Sequence, residues 1–313
     1  MKKSILATAM AALAIMTACN KNDDNMDYTD PKLSVTVESV VTTEAALDDV
    51  VEETEYEVDL YSGSDATFAA MSEMTASSEL KSASSGNLFK YRYRWQKCPD
   101  IHIVSENGSF PKTITLNYGE STELENGRVL SGIIQIVVSA SPRTDGATRT
   151  VTFQDFSIDS IGIAGTSVKT FHGDRVTERQ VTIERNLQFT FKDGTTRTCE
   201  AEKTRNWVAG LDTPLDPTDD VIEITGYANC EDSEGNTYRK EITKNLVKRG
   251  DCRFIVAGEV TFSKNGAIFA TIDYGNGACD RIATITTAAG TKNIEIGKRI
   301  WIRRQIQNQQ NNG

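Results

Sequence analysis

The sequence predicts an all-β protein: an antiparallel meander of hairpins, best described as a β-sandwich-like domain with an internal repeat. Two observations support this prediction. From Leu88 onward, runs with apolar residues at every second position recur, and turn dipeptides such as Asp193-Gly194 and Asn265-Gly266 separate them. Both features are typical of strands joined by tight hairpins. An extended, strongly twisted single sheet is the alternative arrangement.

The third observation is a repeated pentapeptide. Thr115 to Gly119 reads TLNYG and Thr271 to Gly275 reads TIDYG, at an offset of 156 residues (271 minus 115). A cysteine precedes each copy, Cys98 in the first and Cys252 in the second. We interpret the match as two related β-units.

The N-terminus has the pattern of a bacterial lipoprotein signal. Lys2 and Lys3 precede an apolar run from Ile5 to Ile15, which is too short to cross a bilayer, and Cys19 follows a small residue. This pattern resembles a lipobox, in which Cys19 would be lipidated and become the mature N-terminus. We therefore expect a membrane partner through the lipid, in the cell envelope and at the outer membrane.

Charge divides the chain. Between Leu33 and Leu80 there are 12 acidic residues and no Lys or Arg, whereas the whole chain carries a net charge of −10, so the remainder sums to +2 (−10 plus 12). The sequence has no basic patch of the kind that would predict a nucleic-acid partner. The expected organisation is a signal peptide (1–18), a lipidated tether with the acidic segment (19–87), a β domain (88–304, with units 88–171 and 219–302) and a disordered tail (305–313).

Within the acidic segment, local patterns differ. Leu33 to Val37 alternates like a strand, and Thr43 to Asp59 has apolar residues at helical spacing among like charges, which predicts at most a short acidic helix. Ser62 to Asn87 is rich in Ser, Ala and Thr and predicts a linker. In the β region, we expect strands at Ile114/Leu116/Tyr118, Ile133 to Val138, Val151/Phe153, Leu187/Phe189/Phe191, Val221 to Ile224, Val260/Phe262, Ile268/Ala270/Ile272 and Ile294/Ile296.

Five cysteines remain after Cys19, and in an exported protein they predict disulfides. Cys252 and Cys279 lie at nearly equal distances on either side of the Asn265-Gly266 turn, so a hairpin would bring them together. Cys199 and Cys230 are the candidates for a second bridge. Cys98 is then the odd thiol.

Several motifs together resemble a set of uncharacterised Bacteroidota lipoproteins. The stretches are KTITLNYG, RTVTFQDF, RTCEAEKTRNWVAG through DDVIEITGY, and IDYGNGACD. The resemblance implies an envelope location and a β fold, and it implies no activity.

The longest irregular connection of the β region follows Trp207 and carries four acids. Long loops on rigid β scaffolds often bind ligands. Trp207 and Tyr227, at the two ends of this connection, could form a stacking platform for a sugar, or Trp207 could simply anchor a hairpin. The candidate binding residues are Trp207, Asp212, Asp216, Asp219, Asp220 and Tyr227.

No metal, cofactor or catalytic site is predicted. His102 and His172 are the only histidines, and no zincin or nucleophile-elbow motif occurs. Asp273, Asn276 and Asp280 surround a Gly-rich turn, where turn formation is favoured over calcium binding.

The sequence thus favours a non-catalytic binding or structural module with an unknown protein or glycan ligand. A pilus or fimbrial-type subunit and a glycan-acting hydrolase on a β scaffold are the alternatives. A strand exchanged between subunits would be required for the first alternative, and two facing carboxylates for the second.

Overall fold

One helix and one long sheet make up the described part of the chain. The computed structural model describes residues 35–62, 99–105, 109–124, 127–174, 176–213, 216–252 and 254–295. The elements are α1 (Val35–Ser62), β1 (Asp100–Ser105), β2 (Lys112–Asn117), β3 (Thr122–Glu123), β4 (Val129–Val138), β5 (Thr148–Ile158), β6 (Ile161–His172), β7 (Gln180–Thr190), β8 (Thr196–Ala209), a short 3₁₀ helix (Pro217–Asp219), β9 (Val221–Asp232), β10 (Thr237–Arg249), β11 (Ile255–Lys264), β12 (Ala267–Asn276), β13 (Ile282–Thr287) and β14 (Gly290–Glu295).

The strands follow one another across the sheet in chain order. The order is β1, β2, β4 and then each strand through β14, with β3 paired to β4, and every pairing is antiparallel. The predicted antiparallel meander is confirmed. The strands form one continuous sheet, which is the extended alternative, and not two packed sheets. The helix covers the inner face, so a second sheet is not needed to bury it.

The acidic segment is helical over Thr43 to Asp59, as its apolar spacing predicts, but the helix is longer than expected. Val35 to Val37 is helical rather than a strand, and α1 continues without a break to Ser62. Leu47 and Val58 are buried on one side of the helix and Leu60 on another. Because side chains advance by about 100° per residue, strands must cover this helix from several directions.

Glycines allow the sheet to bend around the helix. Gly165 in β6 has a φ of 109°, and a Cβ at this position would lie 2.1 Å from the carbonyl oxygen of Asn186 in β7. Gly226 in β9 is equivalent, with a φ of 141° and a distance of 2.2 Å to the carbonyl oxygen of Glu202. Only glycine fits such close backbone contacts, and glycine kinks of this kind introduce curvature.

The main core lies between α1 and the sheet. Val50 and Tyr61 of the helix pack in one cluster with Ile114, Ile136 and Phe156 of the strands. Each fully buried side chain of this size contributes roughly 1.5–3 kcal/mol. A smaller cluster, built on Val260, Phe262, Ala270 and Ile285, continues the same face over β11 to β13.

The two pentapeptides form the same turn. Oδ1 of Asn117 accepts a hydrogen bond from the backbone N–H of Gly119 at 2.9 Å, and Oδ1 of Asp273 accepts one from that of Gly275 at 2.8 Å. Both glycines have positive φ, 65° and 87°. The local match of the two β-units is therefore structural as well as sequential. Asp273 makes this bond within β12.

Two disulfides join neighbouring parts of the sheet. Cys199 and Cys230 are direct cross-strand partners on β8 and β9, with Cα atoms 4.1 Å apart. Cys252 and Cys279 flank the β11–β12 hairpin, with Cα atoms 5.7 Å apart. Both are the pairs that the sequence analysis named.

Some predictions fall outside the described residues. They are the signal peptide and Cys19, the tether, the linker through Asn87, Cys98 and the tail at 305–313. No described helix combines the length and the apolar character that a membrane span needs. α1 carries nine acidic residues among 28.

Candidate functional site

The predicted loop after Trp207 is closed by interactions within itself. The indole Nε1 of Trp207 donates a hydrogen bond of 3.0 Å to Oδ2 of Asp220, and the guanidinium of Arg179 lies 3.8 Å from the centre of the indole ring. Arg179 also lies 3.6 Å from the same Asp220 carboxylate. The loop therefore presents a stacked Arg–Trp pair at its base.

The remaining acids of the loop serve mostly in turns. Oδ1 of Asp216 accepts hydrogen bonds from the backbone and hydroxyl of Thr218, which lower the pKa of this exposed carboxyl. Oδ2 of Asp219 accepts a 2.6 Å hydrogen bond from Thr213. Asp212 is exposed. These carboxylates do not converge on a common point.

Tyr227 lies away from Trp207. Trp207 is opposite Ile222, and Tyr227 is opposite Glu202, which lies five residues before Trp207 on β8. Five residues span about 17 Å, and an odd offset places the two side chains on opposite faces of the sheet. The alternation of a regular strand thus separates the rings, so the platform, one of the two alternatives for Trp207, does not form. Tyr227 instead stacks with Arg239, at 4.8 Å.

The densest cluster of charged groups lies between α1 and the sheet, and we call it the helix–sheet charge layer. Helix acids pair there with cations from five strands and from the residue before β4. The pairs are Glu44 with Arg197, Asp48 with Lys240, Asp49 with Arg128 (2.5 Å), Glu55 with Arg185 and with Arg205 (3.2 Å), and Asp59 with Arg149 (2.6 Å) and with Lys169 (3.4 Å).

Strand alternation puts these cations on one face. Arg149 of β5 is directly opposite Lys169 of β6, and Lys203 of β8 lies one strand beyond in the same row, across Ile183 of β7. Like charges placed directly opposite one another are destabilising. The acidic helix therefore neutralises a face that would otherwise repel itself.

Glu55 is at the centre of this layer. Burial would raise the pKa of its carboxyl, but the positive charges of Arg185, Lys169 and Arg205 outweigh burial and hold the pKa well below its usual range. The pKa of Asp59 is lowered in the same way, by Arg149 and Lys169 against the effect of burial. Both carboxyls are therefore charged at neutral pH.

Two lysines of the layer are poorly compensated. Burial, reinforced by the neighbouring charge of Arg149, lowers the pKa of Lys169 to about 8. Burial, together with Lys240 and Arg185, lowers the pKa of Lys203 to about 8. The carboxylates of the helix thus do not fully offset the cations of the sheet at these two positions.

A small cavity lies inside the layer, with a volume of about 30 Å³. Its polar lining is Thr54, Glu55, Arg149, Ser167, Lys169 and Arg185, and its apolar lining is Val51, Val58, Val151, Phe153, Ile163 and Leu187. It lies beside an irregularity in the pairing of β5 and β6, between Thr152 and Phe156.

Metal and histidine chemistry have little support in the described residues. No group of three or more His, Cys, Asp or Glu side chains there could hold a metal ion. The Nε2 atom of His172 is 3.0 Å from the hydroxyl of Thr182. Asp280, from the Gly-rich turn, accepts a 3.0 Å hydrogen bond from the backbone of Ile282.

Sequence reasoning missed the helix–sheet charge layer. A signal was present, since the acidic segment has no cations of its own while the rest of the chain sums to a positive charge. Comparison with protein-family models, with curated proteins and with solved structures found no match to this chain.

Proposed function

We propose that this chain is a lipid-anchored protein of the cell envelope that acts as a non-catalytic binding or structural module. The observation that carries the location is the pair of disulfides, Cys199 with Cys230 and Cys252 with Cys279. Disulfides persist in oxidising compartments and are rare in the cytosol, so they are compatible with an extracytoplasmic location. The lipobox-like pattern at Cys19 and the resemblance to Bacteroidota lipoproteins support the anchor.

The use of the charged residues supports a module rather than an enzyme. Glu55 and Asp59, whose pKa values are lowered by neighbouring cations, lie in ion pairs that attach the helix to the sheet. Perturbed groups of that kind occur in structural networks as well as in active sites. Their role here is the cohesion of the fold.

The candidate contact for a protein or glycan ligand is the stacked pair of Arg179 and Trp207. An aromatic ring with a polar neighbour suits both classes of ligand, because the ring packs against apolar faces while the guanidinium donates hydrogen bonds. The ring is held in place by Asp220, so little conformational entropy would be lost on binding.

A second candidate function is assembly through the sheet edges. β1 and β14 are the two ends of the strand order, and each pairs with one neighbour among the described strands. An open edge can accept a strand from another subunit. This arrangement would suit a pilus or fimbrial-type subunit, and chemical crosslinking of intact cells would then give a ladder of regular oligomers.

The anchor is tested by metabolic labelling with a palmitate analogue and by membrane fractionation. Wild type should be labelled and sediment with membranes, whereas Cys19→Ala should be unlabelled. Cys98→Ala is the matched control and should behave like wild type. Labelling of Cys19→Ala, or the absence of labelling in wild type, contradicts the proposal.

Ligand binding is tested on a glycan array with the full chain. Trp207→Ala should abolish binding, and Tyr227→Ala, on the opposite face, should leave it unchanged. Binding that is lost equally in both variants would contradict the assignment to Trp207.

A further inference from the structure

We propose that the cavity in the helix–sheet charge layer binds a small monovalent inorganic anion of the size of chloride. The anion would be held by Arg149, Lys169, Arg185 and the hydroxyl of Ser167, and it would complete the attachment of α1 to the sheet. The inference is independent of the proposed function.

Charge is the first argument. The lining contains three cations, Arg149, Lys169 and Arg185, and one carboxylate, Glu55. Asp59 adds a second carboxylate from the rim, and Arg205 adds a fourth cation by sharing Glu55. Four cations against two carboxylates leave an uncompensated positive charge in a buried place, where an anion is stabilised.

Unused hydrogen-bond donors are the second argument. Nε of Arg149 is buried and has no hydrogen-bond partner. The ammonium of Lys169 has three N–H donors, and its described contact is one long interaction of 3.4 Å with Asp59. Ser167 lines the same cavity. Buried donors of this kind are normally satisfied.

Size determines the class of ligand. A cavity needs roughly 10–15 Å³ to hold one water molecule, so about 30 Å³ accommodates one small ion or about two waters. One small inorganic ion therefore fits the space that the cavity offers. The low pKa of Lys169 agrees with a missing counter-charge.

The cavity itself has a structural cause. Between the pairs Thr152 with Thr166 and Phe156 with Ile163, β5 has one more residue than β6. Asp155, within this bulge, has a φ of 49°. The bulge separates side chains that a regular ladder would pack together, and bulges are often found beside functional sites.

The test is thermal unfolding of the full chain at pH 7, with chloride replaced stepwise by gluconate at constant ionic strength. Chloride at ten times its dissociation constant should raise the Tm of wild type by roughly 3–6 °C. Lys169→Met should lose this response. Lys244→Met, which removes an exposed lysine of β10, is the matched control and should retain it.

Two further measurements keep the proposal testable if Lys169→Met does not fold. Ser167→Ala keeps every charge and should show a weaker chloride response even if Lys169→Met fails to fold. Crystals grown in bromide should show an anomalous peak in contact with Nζ of Lys169. An unchanged Tm in wild type, an equal response in Lys169→Met, or only waters in the cavity of the bromide crystals would overturn the proposal.

Discussion

The hydroxyl of Tyr118 donates a 2.8 Å hydrogen bond to Oε2 of Glu57, and both side chains are buried between the sheet and α1. Tyr118 belongs to the first pentapeptide and Tyr274 to the second. Both tyrosines face the helix. The pKa of Tyr274 is raised by its burial, with the helix acids Asp48 and Glu52 acting in the same direction. The two copies of the turn thus approach the same helix from different strands.

Removal of this hydroxyl should destabilise the protein. Tyr118→Phe leaves the buried Oε2 of Glu57 without one of its donors, and we expect the free energy of unfolding in urea to fall by about 1–3 kcal/mol. Tyr274→Phe is the matched control, since no described residue hydrogen-bonds to its hydroxyl, and it should cost less. Equal losses would contradict a specific role for the bond of Tyr118.

The central ion pairs should contribute more to the free energy of unfolding than the surface pairs. Glu55→Gln leaves Arg185 and its neighbours buried without a counter-charge, so we expect a loss of about 3–5 kcal/mol. Glu241→Gln removes the partner of Arg239 at the exposed surface, where solvent screens the pair, and should cost much less. Urea unfolding of the two variants compares the two environments. Similar losses would show that the charge layer is not a buried network.

Stability should rise with pH on the alkaline side of neutral. Lys169 and Lys203 release their protons near pH 8 in the folded state, against 10.5 for the ordinary side chain. The unfolded chain therefore binds more protons between these values, and stability increases with pH. In chloride-free buffer, we expect a gain of about 1–2 kcal/mol between roughly pH 8 and 10. Lys169→Met should flatten the rise, and a fall in wild type would contradict both assignments.

The two disulfides should each stabilise the fold. They close segments with sequence separations of 31 and 27 residues, for which the loss of chain entropy corresponds to about 3–4 kcal/mol. We expect paired Cys→Ser variants of Cys252 and Cys279, or of Cys199 and Cys230, to lose a similar amount. Non-reducing peptide mapping checks the pairing. A disulfide between Cys98 and any of these four cysteines would contradict the pairing.

The sequence predicted most of the strands whose inner residues are apolar. The runs at Ile114, Ile133 to Val138 and Val260 all lie in strands, and the Asn265-Gly266 turn closes the β11–β12 hairpin as expected. In these elements, the period of two is visible because one face is hydrophobic and the other polar. Local turn chemistry and alternation are sufficient there.

Two of the missed strands, β8 and β10, share a cause. β8 and β10 place Lys203, Arg205 and Lys240 on the face that contacts α1. Their inner residues do not look like core residues unless the acidic helix is already known to cover them. The length of the helix was underestimated for the same reason, because its like charges repel one another until the cations of the sheet surround them. Two segments that each look unstable are complementary in three dimensions.

α1 precedes every described strand, and this order along the chain bears on the order of folding. Its ion pairs reach residues from 79 positions away, at Arg128, to 192 positions away, at Lys240. A helix with nine acids and no cation is not stable alone. It therefore stays extended or fluctuating until the strands through β10, which carries Lys240, have formed and paired. Long-range contacts of this kind slow folding. α1 precedes the described strands in the chain but becomes ordered only after β10 has paired, and until then the inner face of the sheet stays open to solvent and to other chains.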